Sequence, residues 1–290
     1  MRTNIYLCLF VFLFVFNQLG FSQEAQTPIE YKAIKKWETP QQFKTPESVI
    51  YDASRDICYV SNVNGSPAAR DGNGFISKLS PDGKLIQLEW IKGLNGPKGM
   101  TIYQDKLYVA DIDRIAEIDI ASGKIIQFLN SKGATFLNDV AVDKNGTIYI
   151  SDTGNDRIYI LKNGKIDSWL SSEKLKEANG LCIVGEKLMV GTAHAVQSVD
   201  LKSKKISTLV PESGNIDGLV NVAEGDYFFS DFNGKISWVR PPQAYRFLLN
   251  TTSQGINATD IEYIKDKKLL IVPTFNDNRV MAYEIVCSRL

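Results

Sequence analysis

Histidine is almost missing from this chain of 290 residues: His194 is the only one. No pair of histidines can therefore serve as base or metal ligand. Cysteine is scarce too. Of the four, Cys8 lies in an apolar N-terminal run, while Cys58, Cys182 and Cys287 stand far apart without C-x-x-C spacing. Three thiols cannot all pair internally, and no closely spaced zinc set exists. Each of the three sits in an apolar, strand-like run, which reads as a small buried hydrophobe. An excess of one charge is also lacking, since 33 basic residues face 33 acidic ones without a basic cluster. That balance argues against binding nucleic acid through its phosphates. Helical periodicity is absent, apart from a single turn's worth at 171–177.

Only one long apolar run occurs, at 5–16, with Arg2 before it and the small residues Gly20 and Ser22 after it. This is the layout of a secretory signal peptide, residues 1–22, cut before Gln23. The run is too short for the ~20 residues of a spanning helix. Taking 22 residues from 290 leaves 268, with no second run able to cross a bilayer. The expectation is an exported protein, periplasmic or extracellular, with one domain over 23–290. It is expected to be monomeric, with a small molecule as its partner.

What is there is a repeat. Its clearest unit is LNDVAVDKNGTIYISDTGNDRIYILKNGKIDSWL at 137–170. Four short β-runs, at 140–142, 148–151, 157–161 and 165–170, are separated by Lys144-Asn145-Gly146, the loop 152–156 and Lys162-Asn163-Gly164. Asn-Gly between alternating strands is a strong hairpin signal. The unit recurs six times, so 268 residues divide into about 45 each, a propeller period. The last unit stops after its third strand, and an unassigned β-like run at 29–37 precedes the first. The reading is all-β: a six-bladed β-propeller with four antiparallel strands per blade, closed by an N-terminal strand that completes the last blade.

In a propeller the first strand of each blade lines the axis, so the residues opening those strands converge on one mouth. Aligned repeats give Glu47, Lys98, Asn138, Asn179, Asp217 and Asp260, every one polar. Glu47, Asn138, Asn179 and Asp217 offer only oxygen toward a shared centre. That set suits a hard divalent cation, calcium first, with magnesium or manganese as alternatives, and does not suit zinc or copper. A merely hydrated polar channel is the competing reading. Lys98 faces the same centre. Its ammonium is expected to bind a carboxylate on a substrate, to help stabilise an oxyanion, or to form an ion pair with Asp260 across the neck. Lys98 and Asp260 are the substrate-binding candidates. Asp111, Asp152 and Asp231 end second strands and read as turn-holding residues. The loop 62–74 reads as a lid or as an irregular connection.

With these residues in view, the chain resembles the gluconolactonase/regucalcin family of six-bladed propellers, and more distantly the paraoxonases. The resemblance implies a divalent cation held on the axis by Glu47, Asn138, Asn179 and Asp217, in that chain order. It also implies Asp217 as general base for lactone hydrolysis. The stretch 138–158 is similar to an NHL repeat, a propeller unit often used for binding. Two departures stand out. Phe136 occupies the place of a sugar-holding Arg two residues before the first Asn, and a His–His dyad is absent. The function expected is metal-dependent hydrolysis of lactones or similar esters, with a non-enzymatic binding propeller as the alternative.

Overall fold

Alternating apolar and polar residues, interrupted by Gly- and Asn-bearing turns, yield 24 strands in the computed structural model, which describes residues 29–289. The expected leader, residues 1–22, lies outside the described residues. The strands form six sheets of four, each antiparallel. The first blade contains Pro46–Asp52, Ile57–Asn62, Gly74–Leu79 and Leu85–Leu94, from the axis outward. Four more blades follow at 97–130, 137–171, 181–211 and 219–250. In the third, Asn163 (φ 52°) and Gly164 (φ 73°) join Arg157–Lys162 to Lys165–Ser171. Positive φ at both turn residues matches the right-handed twist of the flanking strands.

The sixth blade closes the ring. Its inner three strands are Glu262–Ile264, Leu269–Pro273 and Val280–Arg289. Its outer strand is Ile29–Glu38, paired from Ile29 opposite Arg289 to Glu38 opposite Met281. Closure removes the exposed sheet edge that would otherwise recruit another chain. A buried polar latch reinforces it. Asp226, with no exposed surface, accepts hydrogen bonds from the Tyr31 hydroxyl at 2.6 Å and from Arg240 Nε at 2.5 Å. Tyr31 lies on the closing strand, whereas Asp226 and Arg240 belong to the fifth blade.

Apolar side chains are buried between neighbouring blades. Val60 and Leu79 of the first blade, for example, pack with Ile271 and Val280 of the sixth. Burial of each such side chain contributes roughly 1.5–3 kcal/mol. Trp90 on an outer strand stacks on Tyr59 at 4.9 Å. Cys58 is buried, but Cys287 is exposed, contrary to the reading of all three cysteines as buried. The reason is local: beyond Ile285, whose N–H still reaches Lys268 O, the last strand has no inner neighbour and pairs only with the closing strand. The single turn expected at 171–177 is a 3₁₀ turn, Glu173–Leu175, opened by Ser172 Oγ, which accepts from Lys174 N.

Inner strands crowd at the axis. A methyl group on Gly180 would lie 2.5 Å from the Asp217 carbonyl oxygen, and one on Gly218 only 2.6 Å from Ile261 N. Both obstacles are backbone atoms, so neither can swing aside. Gly180→Ala is expected to destabilise the fold by about 1–3 kcal/mol through overpacking. Urea midpoints measure this. An unchanged midpoint would mean that the neck has slack.

Candidate functional site

The residues that open the inner strands reach the axis because the strands are irregular there. Pairing registers shift between Pro46 and Val49, between Pro97 and Met100, and between Leu137 and Val140. Bulges of this kind re-aim side chains at functional sites. A serine on the next strand holds the displaced backbone. Ser61 Oγ accepts from Ser48 N at 2.9 Å, Ser151 Oγ from Asp139 N at 2.9 Å and Ser230 Oγ from Gly218 N at 2.8 Å. The aspartates that end second strands hold the loops beside the mouth. Asp152 accepts from Thr135 N and Phe136 N, and Asp111 from Asn95 N and Gly96 N.

These devices bring Glu47, Lys98, Asn138, Asn179 and Asp217 together around one cavity of ≈ 180 Å³, with Thr259 as the sixth member. Asp260 is not at this mouth. It sits one residue further along the inner strand, level with Ser48, Gly99, Asp139, Gly180 and Gly218. There its Oδ2 accepts from Ser48 Oγ at 2.5 Å and its N–H donates to Glu47 O at 3.0 Å. Asp260 instead faces a cavity of ≈ 330 Å³ that opens toward the opposite end of the channel. The hairpin of the last blade explains the slip: the 3₁₀ turn Lys265–Lys267 adds a residue between inner and second strands.

Lys98 does not pair with Asp260. Its Nζ donates to Pro67 O and to Gly96 O, both at 2.9 Å, and lies 4.4 Å from the centre of the Phe136 ring. Two carbonyls and a ring face thus occupy the ammonium, which pins the loop 62–74 at the mouth. Burial lowers the Lys98 pKa, with Glu47 opposing. His194 is exposed in its turn.

The oxygen donors are less fully engaged. Glu47 is 6% exposed, and its Oε2 is buried without a hydrogen-bond partner. Asn138 Nδ2 donates to Thr153 Oγ1 at 3.1 Å and Asn179 Nδ2 to Asp217 Oδ1 at 3.4 Å. With the nitrogens so turned, the carboxamide oxygens are the ends left for a ligand. Burial, then the charge of Asp217, raises Glu47 well above the usual carboxylate range. Burial, then Asp260, pushes Asp217 up to about 7. An orphaned buried carboxylate oxygen beside a second strained carboxylate fits a hard cation in this place. Among the described residues no three His, Cys, Asp or Glu side chains group as metal ligands. The mouth set contains only two carboxylates, and its remaining donors are carboxamides.

Aromatic rings wall the cavity above these donors. Phe136 stands on one side. Phe232 and Phe275 meet edge to face at 5.3 Å and also line the space. Phe275 adopts φ +44°, a left-handed conformation that costs a bulky residue on the order of 1–3 kcal/mol.

Comparison with known proteins gives the fold a wider setting. No protein-family profile matches the chain, and no curated protein matches it in sequence. Solved structures do match. A streptogramin B lyase has a TM-score of 0.64 at 10% identity, over 89% of this chain and 98% of that one. A catalytically inactive virginiamycin B lyase from Staphylococcus aureus, solved with quinupristin, gives 0.59 at 11% over 89% and 100%. The WD40 propeller domain of Doa1 gives 0.62 at 11% over 82% and 78%. At such identities the likeness establishes a shared propeller architecture, found in enzymes and in a WD40 domain alike.

Sequence reasoning missed Thr259, Phe232 and Phe275. The Ser recurring just before Asn62, Asp152 and Asp231 was a legible sign of the bulges. Nothing comparable announced the aromatic rings, which lie in loops of differing length.

Proposed function

We propose that this protein is a secreted, calcium-dependent hydrolase of lactones or similar esters. The partnerless buried Oε2 of Glu47, facing three further oxygen-bearing side chains, is the observation that carries this reading. The order Glu47, Asn138, Asn179, Asp217 supports it through the resemblance to gluconolactonase/regucalcin propellers. These four residues would hold the ion. When bound, a divalent cation supplies Lewis-acid polarisation of an ester carbonyl and offsets the charge of the oxyanion.

The chain's own residues do the rest. Asp217 accepts the proton of the attacking water through its carboxylate, a contribution of typically ~10²–10⁴-fold for a positioned base. Asn179, donating to Asp217 Oδ1, keeps that carboxylate oriented. Lys98 fixes the loop 62–74 and adds positive charge near the developing oxyanion. The second reading, a binding propeller without turnover, is favoured by one observation: Phe232 is 41% exposed at the mouth, as in a docking surface.

Calcium titration followed by thermal unfolding tests the metal. A hundredfold excess over Kd stabilises the native state by ~2.7 kcal/mol, which raises Tm by roughly 5–10 °C at this chain length. Asn179→Ala is expected to abolish most of that shift. No shift with calcium, magnesium or manganese, in protein shown to be metal-free, would leave a hydrated channel and favour the binding propeller.

A further inference from the structure

The N–H and O–H donors around the mouth are already spent, while the exposed ring of Phe232 is not. Lys98 gives its protons to two carbonyls and a ring. The Thr259 hydroxyl donates to Pro273 O at 3.2 Å. Asn138 gives its nitrogen to Thr153. A sugar's hydroxyls would therefore find few partners above the oxygen donors. Phe232, in contrast, presents a large apolar face to water directly over the cavity.

That face is held in place. Asn257 Nδ2 donates to Phe232 O at 2.8 Å, and Asn257 Oδ1 accepts from Asn276 N at 3.3 Å. One side chain thus clamps the two loops that carry Phe232 and Phe275. Bulky residues rarely adopt the left-handed conformation of Phe275, and here it sets the ring against Phe232 at the rim. A strained aromatic beside an exposed one, both fastened by the same asparagine, is the arrangement of a recognition wall rather than of core packing.

We propose that this wall makes the mouth selective for lactones and esters with a short apolar body, an alkyl chain or a phenyl ring, over polyhydroxylated sugar lactones. The inference rests on the hydrolase reading above. At ≈ 180 Å³ the cavity lies below the ~300–1,000 Å³ of drug-sized sites, so only a small ring and a few further carbons are enclosed. Each buried methylene strengthens binding about fourfold. Hydroxyls facing the phenyl rings weaken it by about 10–10²-fold, the limit of what an apolar wall alone rejects.

Three non-hydrolysable lactams test this by calorimetric titration, with and without calcium: valerolactam, its pentyl-substituted derivative and gluconolactam. The pentyl derivative is expected to bind roughly tenfold or more tighter than valerolactam, and gluconolactam no tighter. Phe232→Ala, at an exposed position, removes most of the gain due to the pentyl chain, whereas Phe232→Leu keeps most of it. Calcium-induced stabilisation stays the same in both variants. Equal affinities for all three lactams, or a pentyl gain that survives Phe232→Ala, would overturn the proposal and leave the metal reading standing. A pentyl gain without any calcium effect would uphold the wall and overturn the metal reading.

Discussion

Arg240→Ala lowers the unfolding free energy by about 3–5 kcal/mol, the loss expected when one partner of a buried ion pair is removed. Arg240 meets Asp226 with two nitrogens, Nε to Oδ1 at 2.5 Å and NH2 to Oδ2 at 2.6 Å. Asp226 has no exposed surface in the intact protein, where the guanidinium of Arg240 stands between it and solvent. After the substitution only the Tyr31 hydroxyl remains on the carboxylate. Burial and the bond to Asp226 hold that hydroxyl well above its ordinary range, so it donates a proton without giving it up. The effect extends beyond one blade, because Tyr31 belongs to the closing strand. Urea unfolding measures the loss, and Asp226→Asn combined with Arg240→Met is expected to recover part of it. A loss under about 1 kcal/mol would mean that the carboxylate is hydrated and the latch weak.

Asp217→Asn is expected to change activity and stability in opposite directions. If the carboxylate is the base, turnover falls by about 10²–10⁴-fold while the fold persists. Stability of the metal-free protein depends on the same group. Its folded pKa, about 7, is raised above the ordinary 3.8 by burial and then by Asp260. A carboxylate with a raised folded pKa keeps its full contribution below about pH 4 and loses it as the pH rises toward 7. Above that window the ionised, buried group opposes folding by on the order of 2–4 kcal/mol. Asparagine has nothing to ionise, so the variant is more stable than the parent at pH 8 when calcium is stripped. Saturating calcium narrows the gap by stabilising the parent. Unimpaired turnover would remove Asp217 as base. Equal metal-free stabilities at pH 8 would show that the carboxylate is not desolvated.

Much of this was readable from the residues alone, and for physical reasons. Asn163-Gly164 demands a tight turn between two alternating strands, and its counterparts recur at a fixed period, so the blades could be counted. The leftover run at 29–37 and the missing fourth strand at the other end pointed to the same closure. Five of six mouth residues followed from the register of these repeats. The sixth did not, because a 3₁₀ turn in the last hairpin altered the count by one and put Asp260 where Thr259 belongs. The fate of Lys98 was hidden for another reason. Its partners are the carbonyls of Gly96 and Pro67, and backbone acceptors leave no mark on a sequence. Phe136 could be seen as a departure from the gluconolactonase pattern, but its place beneath a lysine ammonium needed three-dimensional contacts. Phe232 and Phe275 are distant in the chain, and their edge-to-face contact, with Asn257 bracing the loops that carry them, exists only in the folded ring.

The pairing of Ile29 with Arg289 also governs the order of events during folding. The strand made first receives its hydrogen-bonding partner only after the last strand exists, so ring closure is the most non-local step available to the chain. Inner hairpins can form as they emerge, whereas the sixth blade waits with one edge open. Contacts of such long sequence separation slow folding, and the waiting edge is where two unfinished molecules would join. Moving the chain ends to the turn at Asn163-Gly164, with a linker between the present termini, would make that last pairing a local one.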